Sequence, residues 1–310
     1  MSKPFRFGVQ CSTAADGPAW AAMARKAEDL GFSSLHLPDH FGDQFAPIPA
    51  MMAAADATTT LKVGALVFDN DYKHPVVLAK EIATIDRLSG GRTEFGLGAG
   101  WMRTDYDQSG IPYDEPKVRV DRFEEGLTII KGLLAGETVT FDGDHYQISA
   151  MAGTPACVQT PRPPILIGGG GKRMLGIAGR EADIVGITAQ IRSGAIDAAA
   201  AQDSTMGRYV EKIAWLKEAA GDRFDDIELN CLVFAVIPTD DANATAEMMA
   251  PLFSLSPAEV LDAPVALIGS VEQMCEALEV RRERLGISYV CVQTDAMDAI
   301  APVIDRLAGT

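Results

Sequence analysis

Apolar positions along this chain fall into two alternating patterns. Short β-branched or otherwise apolar runs at residues 5–11, 33–37, 61–68, 93–97, 164–168, 183–187, 228–237 and 287–293 predict eight strands. Helical spacing separates most of them. Asp16-Gly17-Pro18 can cap a helix in which Trp20, Met23, Ala24, Ala27 and Leu30 share one face before Gly31. Pro75 opens a second, with Val76, Leu78, Ala79, Ile82, Ala83 and Ile85. Phe123, Leu127, Ile130 and Leu134 mark a third, and Met206, Tyr209, Val210, Ile213 and Leu216 a fourth. Met274, Leu278 and Leu285 mark a fifth. Continuously apolar strands alternating with helices predict a parallel sheet covered by helices, and a count of eight favours closure into a (β/α)8 TIM barrel. The competing doubly wound sheet lacks its signature, because no G-x-G-x-x-G follows the first strand.

Three stretches exceed simple connections and predict insertions of about 135–163, 188–204 and 238–270 in a single domain spanning 1–310. Gly143-Asp144 between two alternating runs reads as a hairpin, and the Ala/Asp-rich 195–204 as mobile. Met248-Met249 with Leu252 and Phe253 reads as core packing, with a lid over the mouth as the alternative.

Composition narrows the function. With 27 Lys+Arg against 43 Asp+Glu, the net charge of −16 excludes a nucleic-acid grip based on bulk charge. The sequence shows neither a membrane-span pattern nor a signal-peptide pattern, so the expectation is a cytoplasmic protein with no membrane partner. Five scattered cysteines without a C-x-x-C pair, and no paired-histidine spacing, suggest neither a disulfide framework nor a metal site. No G-x-S-x-G is present either.

In a barrel the catalytic face is built from residues just after each strand. The second strand runs into Asp39-His40, where an imidazole suits proton transfer near neutrality and Asp39 could orient it or cap the next segment; a backbone-bonded loop histidine is the plainer alternative. His74, just before Pro75, reads as structural. Gly96, Gly98 and Gly100 lead to Trp101, a pattern that either admits a flat group against bare backbone or relieves crowding at the rim. The strongest signal is Gly168-Gly169-Gly170-Gly171-Lys172-Arg173, a buried strand passing through four glycines into a helix, whose amides and two cations suit a phosphate. The plain alternative is a glycine-rich turn.

Taken together, these residues resemble the luciferase-like monooxygenase superfamily of flavin and deazaflavin barrels. The resemblance is carried by 31–41, by 63–67 through Lys73-His74-Pro75, by 88–101, and by 164–171 with 182–186, in family order over about residues 5 to 190. It looks closest to the branch of coenzyme F420-dependent oxidoreductases, although FMN-using relatives share most of these motifs. The resemblance implies a cofactor phosphate at Gly168–Lys172 and a non-prolyl cis peptide at Leu66-Val67 behind the ring. It also implies ring contacts from Asp39, Gly98, Gly100 and Trp101, and His40 as acid or base beside Asp39. Trp101 stands where several F420 enzymes carry a glutamate, which puts a carboxylate relay there in doubt and gives Trp101 a substrate-shaping role. His36 stands where relatives often have Trp.

The expected activity is hydride transfer between F420 and a C=N, C=C or C=O substrate. The alternatives are an FMN-dependent monooxygenase fed by a flavin reductase, a cofactor-free barrel lyase or isomerase on a phosphorylated substrate, and a non-catalytic flavin-binding protein. Expected partners are a small-molecule substrate, a reductase supplying reduced cofactor, and a second copy in a homodimer.

Overall fold

The computed structural model describes residues 3–310. All eight expected strands are present: β1 (Arg6–Gln10), β2 (Ser34–Leu37), β3 (Lys62–Ala65), β4 (Thr93–Gly98), β5 (Ile165–Gly169), β6 (Ile184–Ile187), β7 (Glu228–Val233) and β8 (Ile287–Gln293). They hydrogen-bond in the order β3-β2-β1-β8-β7-β6-β5-β4, and a further β3–β4 pairing closes the ring, so the fold is a (β/α)8 barrel. Registers such as Val9 opposite Val292 and Phe95 opposite Ile165 are parallel. Every residue of β2, β4 and β6 is buried, as expected of strands covered on both sides.

By internal contacts the chain divides into two compact units. One comprises residues 3–11, Lys26–Ser34 and Gly168–Thr310. It contains the helix Lys172–Glu181 and the amphipathic helix Met206–Ala220, whose Met206, Tyr209, Ile213 and Leu216 are buried. It also contains a satellite core of Ala246, Ala250, Val260, Ala266 and Ile268 within the 238–270 insertion. The other unit comprises Ser12–Arg25 and Leu35–Ile167. There Asp16 accepts the Ala19 N–H at 2.8 Å at the head of helix Gly17–Asp29, and the indole of Trp20 donates to Ala50 O at 2.9 Å. Strands Thr138–Asp142 and Gln147–Ala152 form the expected antiparallel hairpin.

The structure departs from the sequence reading in four places. The seventh apolar run is not one strand: it stops at Val233, Phe234 stands 53% exposed, and Ala235–Pro238 pairs instead with Ala266–Gly269. The third run is interrupted at a cis Leu66-Val67 peptide and resumes as the two-residue strand Phe68–Asp69. Residues 195–204 contain a short helix, Ala198–Gln202, capped by Asp197. Met248 and Leu252, read as core, are 71% and 75% exposed on helix Ala242–Phe253, because the helix turns its alanines to the satellite core instead.

Candidate active site

The chemistry of the Ser12–Arg25 and Leu35–Ile167 unit gathers behind β2, β3 and β4. At the end of β3 the cis peptide leaves Leu66 and Val67 half-buried between the buried Ala65 and Phe68. The alternating glycines of β4 have a local reason. A Cβ on Gly96 would overlap the Ala65 carbonyl, and one on Gly98 would lie 2.7 Å from Val67 Cγ2. Bare backbone on β4 is what admits the bulge of the neighbouring strand. Gly100, at φ +75°, lies so close to Tyr106 and Asp69 that a side chain there would collide with both.

His40 is held by a residue that the sequence reading missed. Its Nδ1 lies 2.6 Å from Asp105 Oδ2, and the same carboxylate accepts the Tyr72 hydroxyl at 3.0 Å and the Phe41 N–H at 3.3 Å. With Asp105 as a carboxylate, Nδ1 carries the proton in this contact, which leaves Nε2 as the second functional nitrogen. Asp39 does not orient the imidazole: its Oδ2 accepts the Asp69 N–H at 3.1 Å. Trp101 meets the His40 ring edge-on, centroids 5.4 Å apart, and its carbonyl accepts the Tyr113 hydroxyl at 3.2 Å. His74 accepts the Val76 N–H at the head of helix Pro75–Leu88, the structural role expected of it. His36 is buried with Nε2 3.7 Å from Glu94 Oε2, and Lys62 reaches the other oxygen of Glu94 at 3.3 Å.

Behind Asp39 lies a second carboxylate layer, also unforeseen. Asp69 accepts the Tyr106 hydroxyl at 2.9 Å and the Asp71 N–H at 2.9 Å, while Arg122 grips Asp71 through two nitrogens at 2.7 and 3.0 Å and Asp114 at 2.9 Å. Burial pushes the Asp69 carboxyl up to about 7, against the opposing effect of the Asp71 N–H. Burial also raises Asp39 above the ordinary carboxylate range. Burial, followed by the charge of Asp69, pushes the phenols of Tyr72 and Tyr106 far above their ordinary value, so both remain donors.

In the other unit, Gly168 and Gly169 end β5, Gly170 is buried, and Gly171 is the N-cap of the helix Lys172–Glu181. Gly171 brings no side chain to the first-turn amides, so the cradle fits an anion. Packing also requires a glycine at Gly170, since a Cβ there would overlap Thr188 O, whereas one on Gly171 would meet only the movable end of Gln190, 2.9 Å from Nε2. Lys172 is exposed, with Nζ 3.7 Å from Glu218. Among the described residues no cluster suited to a metal ion is found, and no helix is long and apolar enough to cross a membrane.

Comparison with known proteins agrees with this architecture. The family model of luciferase-like monooxygenases matches residues 1–285. A 5,10-methylenetetrahydromethanopterin reductase from Methanolobus tindarius is 31% identical over 169 residues, covering 54% of this chain and 49% of the relative. An FMNH2-dependent dimethylsulfone monooxygenase from Pseudomonas putida is 28% identical over 219 residues, covering 62% and 60%. The chain thus spans about half the length of the curated relatives it matches. Among solved structures, the coenzyme F420-dependent tetrahydromethanopterin reductase from Methanopyrus kandleri superposes with a TM-score of 0.77 at 21% identity, covering 98% of this chain and 99% of that one. That likeness shows the fold.

Proposed function

Since this chain belongs to the luciferase-like monooxygenase family, we propose that it is an oxidoreductase using coenzyme F420 to reduce a small C=N, C=C or C=O substrate. The observation that carries this reading is the His40–Asp105 pair, in the same unit as the Ala65–Val67 segment that packs against the bare glycines of β4. A relative named as an F420-dependent glucose-6-phosphate dehydrogenase, 32% identical over 58% of this chain, supports the deazaflavin.

When bound, the deazaflavin supplies hydride and is itself oxidised; the chain holds, orients and protonates. Leu66 and Val67 would back the ring, with Gly98 leaving them room. The amides of Gly168–Lys172 would take the phosphate. His40, fixed through Nδ1 by Asp105, would in its imidazolium form give the completing proton from Nε2 to the reduced substrate and be left as the Nδ1–H imidazole, so that one hydride and one proton are added across the double bond. Trp101, against the edge of His40, would wall the substrate side and limit water there. Asp39 would contribute to the ring edge rather than to His40.

The second reading is an FMN-dependent monooxygenase fed by a separate flavin reductase, and it is favoured by the likeness to the dimethylsulfone monooxygenase. Anaerobic incubation with reduced F420 and a panel of imines, enones and carbonyls separates the two. The proposal expects violet absorbance of oxidised F420 to return with some acceptor and no oxygen to be needed. No F420 oxidation for any acceptor, with an oxygenated product formed from the panel when the chain is instead supplied with FMNH2 in air, would replace it with the second reading.

A further inference from the structure

Helix Met206–Ala220 carries a lysine on its apolar face. Lys212 lies on the same stripe as Tyr209, Ile213 and Leu216, and its side chain is fully buried. A cation in such a place is costly unless every donor is matched. Here it is matched completely: Nζ donates to Thr188 O at 2.8 Å, to Asp203 O at 2.7 Å and to Asp203 Oδ2 at 2.7 Å. With all three ammonium donors engaged, Lys212 has none left for a ligand, and its role is to fix what it touches.

What it touches is the turn after β6. Asp203 also accepts the Gln190 N–H at 2.7 Å and the Arg208 Nε–H at 2.8 Å. The turn 188–190 is therefore pinned at both ends, at Thr188 O by the ammonium and at Gln190 N by the carboxylate. Its opposite side forms a wall of the glycine loop. Thr188 N–H donates to Gly169 O at 3.2 Å, the Thr188 carbonyl fills the space of a Gly170 side chain, and Gln190 Nε2 fills that of Gly171. Arg208 pairs on its outer side with Glu211, so two cations face two carboxylates and the group is formally neutral. It acts by position and not by net charge. A buried ion pair contributes little to stability compared with apolar packing, which makes a positioning role the better account of its presence.

We infer that Lys212 and Asp203 form a brace that holds the 188–190 turn against Gly169–Gly171 and thereby sets the geometry of the amides that grip the cofactor phosphate. This rests on the proposed deazaflavin function. Lys212 and Asp203 are positioning residues, one layer removed from the ligand.

Wild type, K212M and D203N are titrated with F420 and with the same chromophore on its ribityl chain without phosphate, by fluorescence, with folding verified by circular dichroism. The brace predicts that both variants bind F420 about tenfold or more weakly, the scale seen when outer-layer partners of a binding site are removed, while phosphate-free binding changes less than about twofold. If K212M and D203N fail to fold, R208A, which takes one donor from Asp203 by removing a partly exposed side chain that also pairs with Glu211, should show the same selective loss on a smaller scale. Unchanged F420 affinity, or equal weakening of both ligands, overturns the brace while leaving the deazaflavin reading intact. A wild-type protein that binds neither chromophore removes that reading, and the brace with it.

Discussion

Replacing Asp69 with asparagine should alter how stability depends on pH, in a direction fixed by burial. Asp69 is 7% exposed, and burial lifts its carboxyl from 3.8 to about 7. The folded chain therefore binds this proton more tightly than the unfolded chain. The stability it contributes is complete below the unfolded value of 3.8 and is lost as pH rises through about 7. At about 1.4 kcal/mol per pH unit, that interval corresponds to a loss of about 4 kcal/mol between pH 4 and pH 7, levelling above it. Asparagine keeps the shape and removes the charge. Its carbonyl can accept the Asp71 N–H, while the Tyr106 hydroxyl can accept from the amide and donate to Asp71 Oδ2, already 3.1 Å away. The rearranged contacts cost about 1 kcal/mol. Asp69→Asn should thus be slightly less stable than wild type at pH 4, slightly more stable at pH 5 and about 3 kcal/mol more stable at pH 8. Urea unfolding followed by tryptophan fluorescence at successive pH values measures both curves. If the two remain parallel from pH 5 to pH 8, burial does not set the Asp69 proton and the reasoning fails.

Three further outcomes are expected. His40→Ala should lower turnover by roughly 10²–10⁴ with cofactor affinity little changed, and Asp105→Asn should lower it by a similar order; because Asp105 acts through His40, the double variant should be no slower than His40→Ala, which steady-state rates will test. Gly98→Ala would place a methyl 2.7 Å from Val67 Cγ2 and should cost roughly 1–3 kcal/mol, read as a lower urea midpoint; an unchanged midpoint would mean that β3 yields freely. Trp20→Phe leaves the buried Ala50 carbonyl without its indole donor and should destabilise by about 1–3 kcal/mol in the same assay, whereas a neutral effect would contradict the assigned bond.

The barrel was legible because its strands are short, apolar and regularly interrupted by helical spacing. Gly168–Gly171 stood out, and at Gly170 the fold itself needs bare backbone, since the Thr188 carbonyl leaves no room for a side chain there. What escaped was information carried by contacts across sequence distance. Asp105 lies on the seven-residue helix Arg103–Ser109, too short and polar for a periodic signal, and its partner is 65 residues away. Asp69 and Asp71 look like ordinary turn residues until Tyr106 and Arg122 arrive from later segments. Lys212 sat on an apolar stripe, but a lysine there is usually a snorkelling surface residue, and only Asp203 makes its burial intelligible. The break after Val233 left no mark because the apolar run continues unbroken through Phe234 into a different sheet. The cis bond at Leu66-Val67 was available only through family likeness; nothing in the residues themselves requires it.

Equilibrium titration of the purified chain, separately with oxidised F420 and with FMN, addresses the central claim most directly. The account predicts saturable binding of one F420 per chain, with FMN bound more weakly. Binding of FMN alone would assign the site to the oxygen-using branch, and failure of both to bind would contradict the account of the cradle at Gly168–Lys172 and the bulge at Leu66-Val67 as cofactor-holding features.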